Sequence, residues 1–163
     1  MIVNNTLLDS NYDRKSRVSL IILNTPPSEE KLNVFNKLWS ISNIKVCADG
    51  GANRLYYQLS NGYKLIPDYI TGDLDSIDEE VRDFYASKRV NIIKVECQDS
   101  TDLEKALNRV KKIEEESNFP FDTVYIYGAF GGRFDHEMGN INCLYKYAGY
   151  FKNTVLINET TLG

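Results

Sequence analysis

The sequence has no apolar run of membrane-spanning length, and no apolar leader core follows its start. The first sixteen residues are polar, with Asn4, Asn5, Asp9, Asn11 and Asp13 among them. Residues 1–16 are expected to be a loose tail, and the protein to be cytoplasmic with no membrane partner. Cysteine is scarce: Cys47, Cys97 and Cys143 are odd in number, far apart, and form no C-x-x-C. That pattern suits reduced, mostly buried thiols rather than a disulfide framework. Histidine occurs once, as His136, and no Ser-His-Asp or Cys-His arrangement accompanies it, so a structural or helix-surface place is expected for it. Positive charge is not in excess: 19 Lys and Arg stand against 23 Asp and Glu, a formal net charge of −4. A dedicated nucleic-acid binder would usually be basic. A small anionic ligand is still permitted, because a metal ion and a few arginines can reverse the sign inside one cleft. There is no Walker A sequence, which excludes a P-loop kinase of the usual form. No internal repeat, low-complexity segment or internal linker is present.

What is present is a 163-residue chain with 42% hydrophobic residues, enough for one domain with a full core. Short β-type runs alternate with helical patterns. The runs are Val18–Leu23, Ile44–Ala48, Tyr69–Thr71, Ile92–Val95, Thr123–Tyr127 and Thr154–Ile157. Between them, helices are expected from Pro26, Pro27 and Ser28 with a stripe of Leu32, Phe35, Leu38 and Trp39; from Ala52; and from Asp78 through Val81, Phe84 and Tyr85. A long helix carries Leu103, Ala106, Leu107, Val110 and Ile113, and a last one carries Phe134, Met138, Ile141 and Tyr145. Strand–helix alternation of this kind gives an α/β fold. We expect a three-layer α/β/α arrangement over residues 17–158, with a six-stranded, mainly parallel, Rossmann-like sheet.

In such a sheet every strand-to-helix loop lies at one edge, where open α/β sheets bind ligands. Those loops hold Asp49, then Asp73 and Asp75, then Asp99 and Asp102, then Arg133 and Asp135. Helix capping accounts for one acid per loop, not for doublets in two loops. For Thr71-Gly72-Asp73-Leu74-Asp75-Ser76 a plainer reading is an Asp-rich turn with Ser76 as N-cap and Glu79 closing a capping box. Acids converging at one edge repel unless a cation lies between them, which points to Mg²⁺, with Arg133 and Arg54 as further compensation. The pairs Gly50-Gly51 and Gly131-Gly132 would let backbone approach a phosphate.

Four blocks resemble the thiamine pyrophosphokinase family: Cys47 to Tyr56, Pro67 to Ser76, Gln98-Asp99-Ser100-Thr101-Asp102, and Gly131-Gly132-Arg133-Phe134-Asp135. The resemblance implies pyrophosphoryl transfer from ATP to the thiamine hydroxyl, giving thiamine diphosphate and AMP. It implies Mg²⁺-binding and catalytic duty for Asp49, Asp73, Asp75 and Asp102, with Asp102 or Asp73 as candidate base. It also implies a place near substrate for Gln98 and a nucleotide-side loop at Arg133 and Asp135; the candidate cofactor-binding residues are Gly50, Gly51, Asn53, Arg54, Gln98, Asp99, Thr101, Gly131, Gly132, Arg133 and Asp135. The family has a second, β-rich domain that helps build the thiamine pocket across a homodimer. On that basis residues 159–163 are expected to begin a linker toward such a domain. The rivals are another Mg²⁺-dependent phosphoryl-transfer or nucleotide-hydrolysing enzyme, and a non-catalytic nucleotide sensor.

Overall fold

The computed structural model describes residues 16–27, 32–60, 62–97 and 99–157. The expected tail (apart from Ser16), the helix opening at Ser28, Gln98 and the expected linker at 159–163 lie outside the described residues. Among the described residues six strands and five helices alternate: β1 (Val18–Ile22), α1 (Leu32–Ile41), β2 (Ile44–Ala48), α2 (Gly51–Arg54), β3 (Tyr69–Gly72), α3 (Glu79–Ser87), β4 (Asn91–Lys94), α4 (Asp102–Ser117), β5 (Thr123–Tyr127), α5 (Phe134–Lys146) and β6 (Thr154–Ile157). Helix α2 continues directly into a π-helical turn, Leu55–Leu59.

All the strand pairings are parallel, in the order β4-β3-β2-β1-β5-β6. The chain steps outward from β1 to β4, then crosses back to place β5 on the other side of β1. A right-handed crossover puts its helix on one face when the chain moves one way and on the opposite face when it reverses. The two cores follow this rule. Phe35 and Leu38 of α1, Ala52, Leu55, and Val81 and Tyr85 of α3 pack on Val18, Leu20 and Ile22. Leu103, Ala106, Leu107, Val110 and Ile113 of α4 pack with Cys143 of α5 on Ile21, Val46 and Val124. Alternate residues of β1 therefore serve opposite cores, which is why all five are buried and the strand reads as a continuous apolar run.

At the helix-to-strand edge, polar side chains secure the strand starts. Asn43 Oδ1 accepts from the Val18 amide at 2.8 Å, Asp68 Oδ2 from the Lys45 amide at 2.8 Å, and Asp122 Oδ2 from the Arg17 amide at 3.0 Å.

Two local expectations differ from what is seen. The N-cap of α3 is Asp78, with extended backbone, so the Ser76–Glu79 capping box does not form. Three of the four apolar positions expected on α5 face solvent, Phe134 at 74% exposed, Met138 at 44% and Tyr145 at 77%, while Ile141 is half-buried. That helix docks through smaller or polar positions. Cys143 is buried, Asn140 Nδ2 donates to the Ala129 carbonyl at 2.9 Å, and a Cβ on Gly139 would reach Thr101 Cγ2 at 4.0 Å. Spacing sets where a stripe lies on a helix; the shape of the neighbouring surface sets which side docks.

Candidate functional site

Three segments converge at the carboxyl ends of β2 and β3. Asp49 follows β2, Asp73 follows β3, and Asp102 is the first residue of α4. Each offers one carboxylate oxygen such that all three lie within 4.8 Å of one another.

Asp49 is 1% exposed. Its backbone takes a left-handed φ of 43°, a region that Asp tolerates better than most residues. The Asp49 amide donates to the Thr71 carbonyl at 2.9 Å, which extends the β2–β3 pairing by one residue and fixes the turn. The neighbouring strand must come very close here: a Cβ on Gly72 would lie 2.7 Å from Asp49 Cβ. Asp49 Oδ2 accepts from the Ser76 amide at 3.1 Å, while Oδ1 is buried without a hydrogen-bond partner. Burial pushes the Asp49 carboxyl above its ordinary value; the Ser76 bond works against this and Asp102 and Asp73 add to it. A buried carboxylate with one oxygen unpartnered, grouped with two more carboxylates, is a donor set that fits a hard divalent cation.

Asp73 Oδ1 accepts from the Asp75 amide at 3.2 Å, with Leu74 between them at a φ of 66°. This turn aims Asp73 into the cluster and leaves Asp75 exposed outside it. Asn53 of α2 ties down the same loop: its Nδ2 donates to the Ser76 carbonyl at 2.9 Å and its Oδ1 accepts from the Asp78 amide at 3.0 Å.

Asp102 is placed by the cap of α4. Thr101 Oγ1 accepts from the Glu104 amide at 3.2 Å, and Glu104 Oε2 accepts from the Thr101 amide at 3.2 Å. Glu104 also binds Lys146 Nζ of α5 at 2.8 Å. Thr101 thus has a helix-capping role, and Asp99 beside it is exposed.

Lys105 was not singled out by sequence reasoning. Its side chain is 3% exposed, and its Nζ donates to Asp73 Oδ2 at 3.0 Å and Asp102 Oδ1 at 3.3 Å. Burial alone would lower this lysine, but the two carboxylates outweigh it and hold the ammonium above its ordinary value. The Lys105 bond likewise holds Asp73 below the usual carboxylate range. A signal was available: a lysine in the first turn of a helix opposes the helix dipole and needs acids nearby.

The glycines divide into two kinds. A Cβ on Gly50 would collide with the Asn24 side chain, and one on Gly51 with the Ile22 carbonyl, so both serve the packing of α2 against the end of β1. Arg54 Nε donates to the same Asn24 at 2.9 Å. Gly131 has a φ of 92°, and its amide donates to Glu137 Oε1 at 2.7 Å. A Cβ on Gly132 would meet only Thr25 Oγ1 at 3.6 Å, an ordinary contact, so the fold itself does not demand glycine there. Arg133 and Asp135 form an exposed pair, Nη2 to Oδ2 at 2.5 Å and Nε to Oδ1 at 3.1 Å, at the start of α5. Hydrogen bonding to Arg133 holds Asp135 below the usual carboxylate range. This pair belongs to the loop after β5, beyond the switch in strand order, and stands apart from the three-carboxylate cluster. His136 is exposed on the first turn of α5.

The family model for thiamin pyrophosphokinase, catalytic domain, matches residues 35–157. The chain belongs to this family. Thiamine pyrophosphokinase 2 of Oryza sativa is 37% identical over 144 residues, covering 77% of this chain and 54% of its own length. The thiamine pyrophosphokinase of Saccharomyces cerevisiae is 33% identical over 195 residues, covering 90% of this chain and 59% of its own. Yeast thiamin pyrophosphokinase is also similar in solved structure, with a TM-score of 0.73 at 29% identity, over 93% of this chain and 61% of that one. The chain therefore spans a little over half the length of these two curated relatives. Among the described residues, no helix is long and apolar enough to cross a membrane.

Proposed function

We propose that this domain carries the nucleotide- and metal-binding half of a thiamine pyrophosphokinase, transferring the β,γ-pyrophosphoryl group of ATP to the thiamine hydroxyl. The observation that carries the reading is the convergence of Asp49, Asp73 and Asp102, with one buried Asp49 oxygen left without a partner. Asp49, Asp73 and Asp102 would hold Mg²⁺, which when bound supplies charge neutralisation to the triphosphate. Asp75 stands outside the cluster and is proposed as a further acidic group on its solvent side. The rest of the work falls to the chain. Gly132 leaves space for a phosphate to approach the backbone, and Arg133, oriented by Asp135, presents a guanidinium toward anionic oxygens. Asn53 and Ser76 keep the Asp73–Asp75 loop closed on Asp49. Thr101 and Glu104 hold Asp102 at the cluster. Transfer of pyrophosphate requires attack at the β-phosphorus with AMP as leaving group.

The relatives' greater length fits a thiamine pocket completed by a further domain, and a homodimer is proposed from the family resemblance alone. The test is product analysis with ATP, Mg²⁺ and thiamine, using this domain in its full-length protein. AMP and thiamine diphosphate in equal amounts, abolished by Asp49→Asn with the fold intact, support the reading. ADP or free phosphate as the nucleotide-derived product refutes it.

A further inference from the structure

Neither the cap of α4 nor the two hydrophobic cores account for Lys105. A lysine stem with 3% side-chain exposure is costly to order and to desolvate. Helix α4 could fill the same volume with an aliphatic residue, as it does at Leu103, Ala106 and Leu107. The ammonium instead lies between two carboxylates, 3.0 Å from Asp73 and 3.3 Å from Asp102. It uses one oxygen of each, Asp73 Oδ2 and Asp102 Oδ1. Asp49 receives nothing from it and keeps Oδ1 unpartnered. The cluster is thus divided, with a cation already built in on the Asp73–Asp102 side and an open donor on the Asp49 side.

We infer that Lys105 is a resident cation of the metal centre, occupying the place between Asp73 and Asp102 and so limiting the three-carboxylate cluster to one divalent ion on the Asp49 side. This rests on the metal reading above and adds an occupancy to it. At formal charge, three carboxylates and one ammonium leave two negative charges, the number one divalent ion carries. A second divalent ion would have to share Asp73 and Asp102 with an ammonium whose side chain is 3% exposed and already bonded to both. Lys105 acts through the carboxylates and is a positioning residue.

The test is Mn²⁺ binding without nucleotide, followed by the paramagnetic signal of the free ion. It compares the wild type, Asp49→Asn, Lys105→Met and Lys105→Arg, with each fold checked by circular dichroism. Wild type is expected to bind one Mn²⁺ that Asp49→Asn abolishes. Lys105→Met keeps the stem and removes the charge, so it should admit a second Mn²⁺ or bind the first at least about tenfold tighter, since a like charge a few ångströms away has gone. Lys105→Arg should bind as wild type does. A folded Lys105→Met with wild-type stoichiometry and affinity, or with weaker binding, overturns the inference. Two Asp49-dependent ions in the wild type overturn it without any lysine variant, which covers the case in which Lys105→Met fails to fold. No Asp49-dependent Mn²⁺ in the wild type refutes the metal reading itself, a result distinct from the others.

Discussion

Gly72→Ala is the substitution that most directly couples the fold to the site. The added Cβ would lie 2.7 Å from Asp49 Cβ, 3.2 Å from Asp49 Cα and 3.3 Å from Asp49 N. Comfortable carbon–carbon contact begins near about 3.5 Å, so the closest pair is short by roughly 0.8 Å. Neither strand can retreat freely. The Ala48–Thr71 pairing and the 2.9 Å bond from the Asp49 amide to the Thr71 carbonyl hold β2 and β3 together at this point. Asp49 already sits at a φ of 43° and has little conformational slack. Overpacking costs about 1–3 kcal/mol, and a clash against backbone belongs in the upper half of that range. At about 2–4 °C per kcal/mol for a chain of this size, the melting temperature should fall by about 4–12 °C. Asp49 should also be displaced from Asp73 and Asp102, weakening Mn²⁺ binding by about tenfold, or roughly 1.4 kcal/mol. Gly62→Ala is the control. Its φ is 80° with nothing within 4 Å of the added Cβ, so it should cost stability alone, about 1–2 kcal/mol, and leave metal affinity unchanged. Thermal melts by circular dichroism and Mn²⁺ titration read both effects. If Gly72→Ala melts within about 1 °C of the parent and binds Mn²⁺ equally well, the close approach does not position Asp49.

Thr101→Ala removes the side-chain half of the α4 capping box and should cost about 1 kcal/mol, with Thr101→Ser restoring it; equal melting of the Ala variant and the parent would remove the cap from the account. Among the three cysteines, brief alkylation of the native protein should label Cys97 alone in a mass-spectrometric map, because it is exposed and its thiol is lowered chiefly by hydrogen bonding from Ser100, whereas Cys47 and Cys143 are buried and raised. Labelling of Cys47 at a comparable rate would contradict its burial. Asp122 is held below its ordinary value of 3.8 first by the Arg17 amide and then by Lys152. Its folded value is depressed, so its contribution is present above 3.8 and is lost as pH falls through the lower folded value. Asp122→Asn should therefore melt below the parent at pH 7, and the gap should close in strong acid; a gap that stays constant with pH would show that the charge is not involved.

The strand and helix order was legible in the sequence because parallel strands covered on both faces are short apolar runs, and because α1 and α4 show clear helical spacing. The placing of acids in strand-to-helix loops was legible too, since parallel connectivity puts those loops at one edge whatever the packing. The family was legible in four short blocks. Only the tertiary structure decided which acids meet. Asp73 and Asp75 look equivalent in sequence, but the left-handed turn at Leu74 sends one inward and leaves the other in solvent. Gly50 and Gly51 look like a phosphate cradle, yet the close approach of Asn24 and the Ile22 carbonyl gives them a packing role. The apolar stripe of α5 promised a buried face, but the helix docks through Gly139, Asn140 and Cys143 instead. Lys105 went unread despite its place in the first turn of α4, and its burial between two carboxylates exists only in the folded chain. Local pattern determines conformation and period, because those depend on near neighbours along the chain. Which side chains face one another depends on how separate segments pack, and a contact between β2, β3 and the start of α4 exists only once the chain has folded.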